Sequence, residues 1–196
     1  MPCGVSGAMQ VVRVVSVEVG VTGRADPDPT RPADRNTTTV VELERAHGQV
    51  LCGFVRRLGV SDSAASDVVQ ESLLRLFRQL GDGPIADPKA WTFHTAYRLA
   101  MDEHRRFARV TRLVSRLPGS RSTASDDPTL GPERELVWAE VDRLPQRQRA
   151  VVYLRFRADL DFDAIGDTMG ITASTARSHC TQALATLRTR LAGERV

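Results

Sequence analysis

The fold of this chain is decided by residues 161–187, DFDAIGDTMGITASTARSHCTQALATL. Apolar residues recur every three or four positions on both sides of a central glycine, which is typical of two amphipathic helices joined by a short turn. Gly170 stands where a helix end favours a left-handed residue, and Thr172 or Ser174 would cap the second helix. The inward face of the first helix is predicted to consist of Phe162, Ile165 and Met169.

The two faces of the second predicted helix differ in chemistry. The apolar face consists of Ala176, Cys180, Ala183, Leu184 and Leu187. The polar face consists of Arg177, Ser178, His179, Thr181 and Gln182. These polar groups suit base edges and phosphates in the major groove of DNA, so a helix-turn-helix motif is one interpretation. A helical hairpin with a solvated polar face is the alternative, because such patterns also arise by chance.

Composition favours a helical, non-catalytic protein. Aromatic residues make up only 5% of the 196 residues, which suits helices packed through Leu, Val and Ala, and the net charge of +3 does not by itself indicate a nucleic-acid partner. The four histidines are scattered, and neither a G-x-S-x-G motif nor a phosphate-binding glycine loop is present. Cys3, Cys52 and Cys180 form no C-x-x-C pair. We therefore expect no enzyme, no metal and no cofactor.

The chain divides by composition into four segments. Residues 1–37 contain a run of Pro, Asp and Arg and are expected to form a disordered extension. Residues 38–114 and 132–196 carry helical periodicity and should form two small all-α domains. Residues 115–131 are rich in Ser, Pro, Gly and Asp, which is typical of a flexible linker. No apolar run is long enough to span a membrane, and we expect a cytoplasmic protein.

The predicted helices of both domains have recognisable ends. Gly59 would end the first helix, capping residues from Ser61 would open the second, and Pro88 would open the third in its first turn. The third helix combines aromatic residues with a basic C-terminal half, a combination that suits unpaired nucleic acid. In the second domain, the residues predicted to be buried in the first helix are Leu136, Val137, Val141 and Leu144.

Three further sequence patterns occur in order along the chain. The pattern D-x-V-Q-E-x-x-L-R-x-[WF] is matched by Asp67, Val69, Gln70, Glu71, Leu74, Arg75 and Phe77. The pattern P-x-x-W, followed by Asp and an Arg pair, is matched by Pro88, Trp91, Asp102, Arg105 and Arg106. The pattern L-P-x-x-x-R-x-V-x-x-L-R is matched by Leu144, Pro145, Arg149, Val151, Leu154 and Arg155. The first two patterns resemble region 2, and the third resembles region 4, of extracytoplasmic-function (ECF, group 4) sigma factors of bacterial RNA polymerase.

This resemblance implies an initiation factor with three contact surfaces. Contact with the polymerase core, at the β′ clamp helices, would involve Asp67, Gln70, Glu71 and Arg75. Opening and recognition of the −10 element would involve Trp91, Arg98, Arg105 and Arg106. Recognition of the −35 duplex would involve Ser174, Thr175, Arg177, Ser178, Thr181 and Gln182. The β flap of the polymerase and an anti-sigma factor are further partners that the resemblance implies, and no membrane contact is expected.

The chain departs from the family at several positions that matter for DNA. Arg98 replaces an Asn that often helps select the flipped −10 base, and Gly166 replaces the Ala of the usual E-I-A. His179 and Gln182 replace frequent arginines, which predicts weaker phosphate attraction. Two alternatives stay open at this stage: a helix-turn-helix regulator that acts without polymerase, and a degenerate sigma-like protein that titrates an anti-sigma factor.

Overall fold

The computed structural model describes residues 32–113 and 132–193, and these two ranges form seven α-helices and no strand. The N-terminal half contains α1 (Pro32–Arg57), α2 (Asp62–Asp82) and α3 (Pro88–Leu113). The C-terminal half contains α4 (Pro132–Asp142), α5 (Gln146–Phe156), α6 (Phe162–Met169) and α7 (Ala173–Gly193). The all-α prediction is confirmed.

The first helix begins earlier than the sequence predicts. Residues 32–37 were expected to belong to the disordered extension, yet α1 already includes them. Proline fits the first helical position because the missing N–H would have no partner there, and Asp34 complements the helix dipole in the first turn. The Thr38 hydroxyl donates to the Asp34 carbonyl at 2.9 Å. The predicted extension before Pro32 and the predicted linker 115–131 lie outside the described residues.

The ends of the helices in the N-terminal half follow the local chemistry of the sequence. The Ser61 side chain caps α2 by accepting from the Ala64 N–H, and the Asp87 carboxylate accepts from the Ala90 N–H at 2.9 Å at the start of α3. Gly59 follows α1 with φ of 90°, a conformation that glycine adopts without strain. These caps fix where α2 and α3 begin.

One hydrophobic core joins the two halves of the chain, a feature that the sequence did not predict. Phe54 of α1 is fully buried, and its ring centroid lies 5.7 Å from that of Phe93 and 5.9 Å from that of Tyr153. Phe93 belongs to α3 and Tyr153 to α5, so the same aromatic cluster draws on both halves. Leu154 and Ile165 are also fully buried in this core. We call the interface between the halves the junction.

Polar contacts across the junction centre on Arg57. Its Nε lies 2.9 Å from Asp142 Oδ1, and its guanidinium carbon lies 5.4 Å from the Trp138 ring centroid and 5.0 Å from that of Tyr153. Two hydrogen bonds join α5 to α1 and the residue that follows it, from Tyr153 Oη to the Val50 carbonyl at 3.0 Å and from Gln146 Nε2 to the Leu58 carbonyl at 2.8 Å. Two more contacts join α3 to the C-terminal half, between Lys89 Nζ and the Asp159 carbonyl and between His94 Nδ1 and the Asp167 carbonyl.

The inward face of α4 differs from the prediction. Val141 and Leu144 are buried as expected, whereas Leu136 is 65% exposed and Val137 is 41% exposed, so the prediction that these two are buried was wrong. Trp138 takes their place, because its ring packs edge-on against Tyr153 at 5.3 Å and beside Arg57. With Trp138 on the inward side of α4, Leu136 and Val137 lie on its outward side.

Candidate nucleic-acid interface

The helix-turn-helix predicted from residues 161–187 is present and is built as its sequence indicates. Asp161 caps α6 by accepting from the Ala164 N–H at 2.8 Å. Gly170 ends α6 in the left-handed conformation, with φ of 65° and ψ of 39°. Thr172 Oγ1 accepts from the Thr175 N–H at 3.1 Å and so caps α7.

Gly166 allows the turn of this motif to close tightly onto α6. A Cβ atom at this position would lie 2.8 Å from the Ile171 carbonyl oxygen and 3.1 Å from the Ala173 backbone nitrogen. Both neighbours are backbone atoms, one in the turn and one at the start of α7, so neither can move aside without shifting α7. The departure from the alanine that is usual in the family therefore has a structural cause here.

The outward face of α7 carries the residues predicted to contact the −35 duplex. All six are exposed, namely Ser174, Thr175, Arg177, Ser178, Thr181 and Gln182. The apolar face is buried at Ala176, Cys180, Ala183 and Leu187. The split between the two faces fixes which side chains are available to a partner, and it leaves the polar side of the helix open to solvent.

Local contacts orient several side chains on this face. The guanidinium of Arg177 lies 5.0 Å from the Phe162 ring centroid, a cation–π contact between the two helices of the motif. The hydroxyl groups of Ser178 and Thr181 donate to carbonyls of their own helix, which leaves their lone pairs as acceptors. Gln182 Oε1 accepts from Gln148 Nε2 at 3.4 Å, a neighbour that the sequence did not suggest.

The residues predicted to contact the −10 element lie along α3. Trp91, Arg98 and Arg105 are spaced by seven residues, so they lie along one side of the helix. Trp91 is half-buried against the cluster formed by Leu73 and its neighbours, while the two arginines are exposed. Arg106 is also exposed, at 78%. The ion pairs of Arg105 with Asp102 and of Arg106 with Glu103 measure 3.5 and 4.0 Å and are solvent-exposed, so they hold these cations only weakly.

The acidic face predicted to contact polymerase lies on α2. Asp67 and Arg75 are exposed, and Gln70 and Glu71 are half-exposed. Glu71 Oε1 accepts from Arg75 Nε at 2.7 Å, so a cation of a partner would compete with Arg75 for this carboxylate. The opposite face of α2 is buried through Ala65, Val68, Ser72, Leu73 and Leu76.

The cysteines in the described ranges are structural. Cys52 and Cys180 are buried in the shared core and form no disulfide. Burial raises the pKa of the Cys180 thiol, and the nearby Arg155 only partly opposes this shift. In residues 32–113 and 132–193 no cluster of side chains has the make-up of a metal site. None of the helices described in these ranges combines the length and apolar character needed to cross a membrane.

The fold and its surfaces define the class of the protein: an all-helical DNA-binding protein with a C-terminal helix-turn-helix and an N-terminal helical module. The family model for sigma-70 region 2 matches residues 43–110, and the model for sigma-70 region 4 matches residues 141–189. The two matches occur in the order found in sigma factors and together span more than half of the chain.

Named relatives agree with these matches. The ECF RNA polymerase sigma factor SigE of Mycolicibacterium smegmatis is 28% identical over 189 residues, which cover 85% of this chain and 72% of SigE. The ECF RNA polymerase sigma factor SigL of Mycobacterium tuberculosis is 29% identical over 151 residues, which cover 74% of this chain and 84% of SigL. Both relatives therefore match over most of this chain.

Solved structures share the fold. CnrH, in complex with the cytosolic domain of CnrY, matches with a TM-score of 0.55 and 20% identity over 93% of this chain and 98% of CnrH. The sigma factor RpoE of Bartonella quintana, in complex with the anti-sigma factor NepR, matches with a TM-score of 0.63 and 19% identity over 76% of this chain and 96% of RpoE.

This chain belongs to the sigma-70 family of RNA polymerase sigma factors, in the ECF group. It binds the polymerase core and promoter DNA and directs the initiation of transcription.

Proposed function

We propose that three separate surfaces divide this work. The acidic face of α2 binds the β′ clamp helices, the exposed side of α3 contacts the opened −10 element, and the polar face of α7 binds the −35 duplex. The C-terminal half also contacts the β flap. The observation that carries the proposal is that the predicted contact residues lie on exposed or half-exposed faces, while the apolar residues between them fill the core.

The chemistry of each surface fits the partner assigned to it. Carboxylates on α2 suit a basic helix of the polymerase, and the arginines on α3 suit the phosphates of separated strands. On α7, Arg177 is positioned by Phe162 for a bidentate contact with a guanine, and the hydroxyl oxygens of Ser178 and Thr181 can accept from base amino groups. Because Oε1 of Gln182 already accepts from Gln148 Nε2, a bidentate contact of Gln182 with adenine is disfavoured.

The protein acts by binding and not by catalysis, and it works without a cofactor. We place it in the cytoplasm, where the polymerase is. An anti-sigma factor is a further proposed partner, because CnrH and RpoE were solved with CnrY and NepR. The region 2 match leaves a polymerase-independent helix-turn-helix regulator without support.

In-vitro transcription with purified core polymerase tests the function. The protein should direct run-off transcripts from a defined promoter, and a product pattern that is the same with and without the protein would refute the proposal. Core binding without promoter opening would instead favour a sigma-like protein that titrates an anti-sigma factor.

A charge reversal on α2 tests the polymerase surface. Glu71→Lys should weaken core binding at least tenfold and leave the fold intact, because the side chain is 40% exposed. Glu42→Lys, an exposed charge reversal on α1, should bind as the wild type does. Equal core affinity of the two variants, measured by fluorescence anisotropy, would contradict the assignment.

A further inference from the structure

A cleft at the junction has the size of a small-molecule site. It lies between α3 and α5, with Met169 of α6 at one end, and its volume is about 450 Å³. Pockets that bind small molecules generally have volumes of about 300–1,000 Å³. The cleft is therefore large enough for a nucleotide.

The lining of the cleft is cationic. Arg98, Arg105 and Arg147 face it together with a single carboxylate, that of Asp102, which gives these four side chains a net charge of +2. Asp102 Oδ1 lies 3.5 Å from Arg105 Nη1. Arg98 and Arg147 form no ion pair with any side chain in the described ranges. Two guanidinium groups in one cleft thus keep their hydrogen-bonding forks available for an anion.

The lining of the cleft also includes a phenol and apolar side chains. Tyr97 is half-buried, and burial raises the pKa of its hydroxyl, while the positive charges of Arg147 and Arg105 partly oppose this shift. Both arginines therefore act on the same phenol from two different helices. Leu58, Met101, Met169 and Ala150 add apolar surface to the lining. A few charged donors beside apolar surface suit a ligand with a phosphate group and a flat ring.

We propose that the cleft binds a phosphate ester of nucleotide size. The cations come from both halves, Arg98 and Arg105 from α3 and Arg147 from α5, so the site is complete only while the halves are packed together. A ligand that binds only this packed arrangement stabilises it by mass action. The ligand would also occupy two of the −10 contact residues, a consequence that rests on the proposed function. A free nucleotide and a nucleic-acid strand present the same phosphate chemistry.

Calorimetry on the full chain tests the proposal without polymerase. Guanosine 5′-diphosphate, inorganic pyrophosphate and a twelve-nucleotide single-stranded DNA are titrated separately in the absence of magnesium, with guanosine as the phosphate-free control. Guanosine 5′-diphosphate should bind and raise the melting temperature of the protein, and guanosine should do neither. Arg147→Ala should weaken binding about tenfold, since it removes a charge-assisted contact. Arg188→Ala, an exposed arginine of α7 outside the cleft, should bind as the wild type does.

Each outcome either supports or overturns the assignment of a phosphate site to the cleft. Nucleotide binding that depends on Arg147 supports a small-molecule site, and binding of only the DNA strand, with the same dependence, assigns the phosphate to nucleic acid. Arg147→Lys keeps the charge and should bind more tightly than Arg147→Ala, which separates loss of the site from a folding defect. Absence of binding by all phosphate probes, or affinity that is unchanged in Arg147→Ala, overturns the proposal.

Discussion

Arg57 and Asp142 form a buried ion pair between the two halves of the chain, with Nε and Oδ1 2.9 Å apart and with side chains only 8% and 18% exposed. Burial raises the pKa of Asp142, while Arg57 and Arg149 oppose the shift. Arg57 also donates to the Gly53 carbonyl of its own helix. Since each charge depends on its partner to remain buried, the pair ties α1 to the end of α4.

Removal of Arg57 should destabilise the protein strongly. Arg57→Ala leaves the Asp142 carboxylate buried without this partner, and the expected loss in the free energy of unfolding is about 3–5 kcal/mol. Urea denaturation measures it. Arg45→Ala, an exposed arginine of the same helix, should change stability by less than about 0.5 kcal/mol. A loss as small in Arg57→Ala as in this control would show that the ion pair contributes nothing.

Gly53 should be intolerant of a methyl group. Its Cβ would lie 2.5 Å from Tyr153 Oη, which donates to the Val50 carbonyl across the junction. Gly53→Ala should therefore destabilise the protein by about 1–3 kcal/mol, although alanine is the better helix former. In Gly48→Ala the new methyl group meets only the flexible Glu44 side chain, at 3.3 Å, so this variant should be neutral or slightly stabilised. Melting temperatures of the two variants provide the comparison, and equal values would contradict the close approach at Gly53.

Gly166 should be needed for the geometry of the helix-turn-helix. Gly166→Ala places a methyl group against the Ile171 carbonyl, and the expected destabilisation is about 1–3 kcal/mol, with weaker −35 binding because α7 shifts. Gly81 lies in α2, where a new methyl group would have open space around it, so Gly81→Ala should be more stable than the wild type. Thermal unfolding and a gel-shift assay with a −35 duplex test both effects. Wild-type values for Gly166→Ala in both assays would disprove the packing argument.

Arg177 should contribute to specificity for DNA sequence. Arg177→Ala removes a side chain held over Phe162, and it should cost about 1–3 kcal/mol on the cognate −35 duplex if the arginine binds a base edge. The affinity for a duplex with a scrambled −35 sequence should change much less. Equal losses on the two duplexes, measured by fluorescence anisotropy, would assign Arg177 to phosphate contact.

Local sequence was sufficient for the helices and for the exposed faces. The spacing of Ile165, Met169 and Ala176, with Gly170 between the helices, predicted the helix-turn-helix because each of these features acts within a few residues. The outward faces of α2 and α7 followed from the same periodicity. The start of α1 at Pro32 could also have been found, since proline at the first helical position is a local signal.

The junction and its cleft could not be predicted, because they depend on residues that lie far apart in the sequence. No spacing relates Arg57 to Asp142, or Arg98 to Arg147, until the two halves pack. Trp138 is the clearest case, since its contacts with Arg57 and Tyr153 decide which side of α4 is buried. The periodicity of α4 alone favoured Leu136 and Val137, and that prediction was wrong.

The aromatic cluster of Phe54, Phe93 and Tyr153 also has a consequence for solubility. A fragment truncated after residue 113 would lack Tyr153 and so uncover part of the Phe54 ring, and newly exposed apolar surface promotes aggregation. Such a fragment should therefore be more soluble when the missing half is supplied in trans or when another protein covers the uncovered ring.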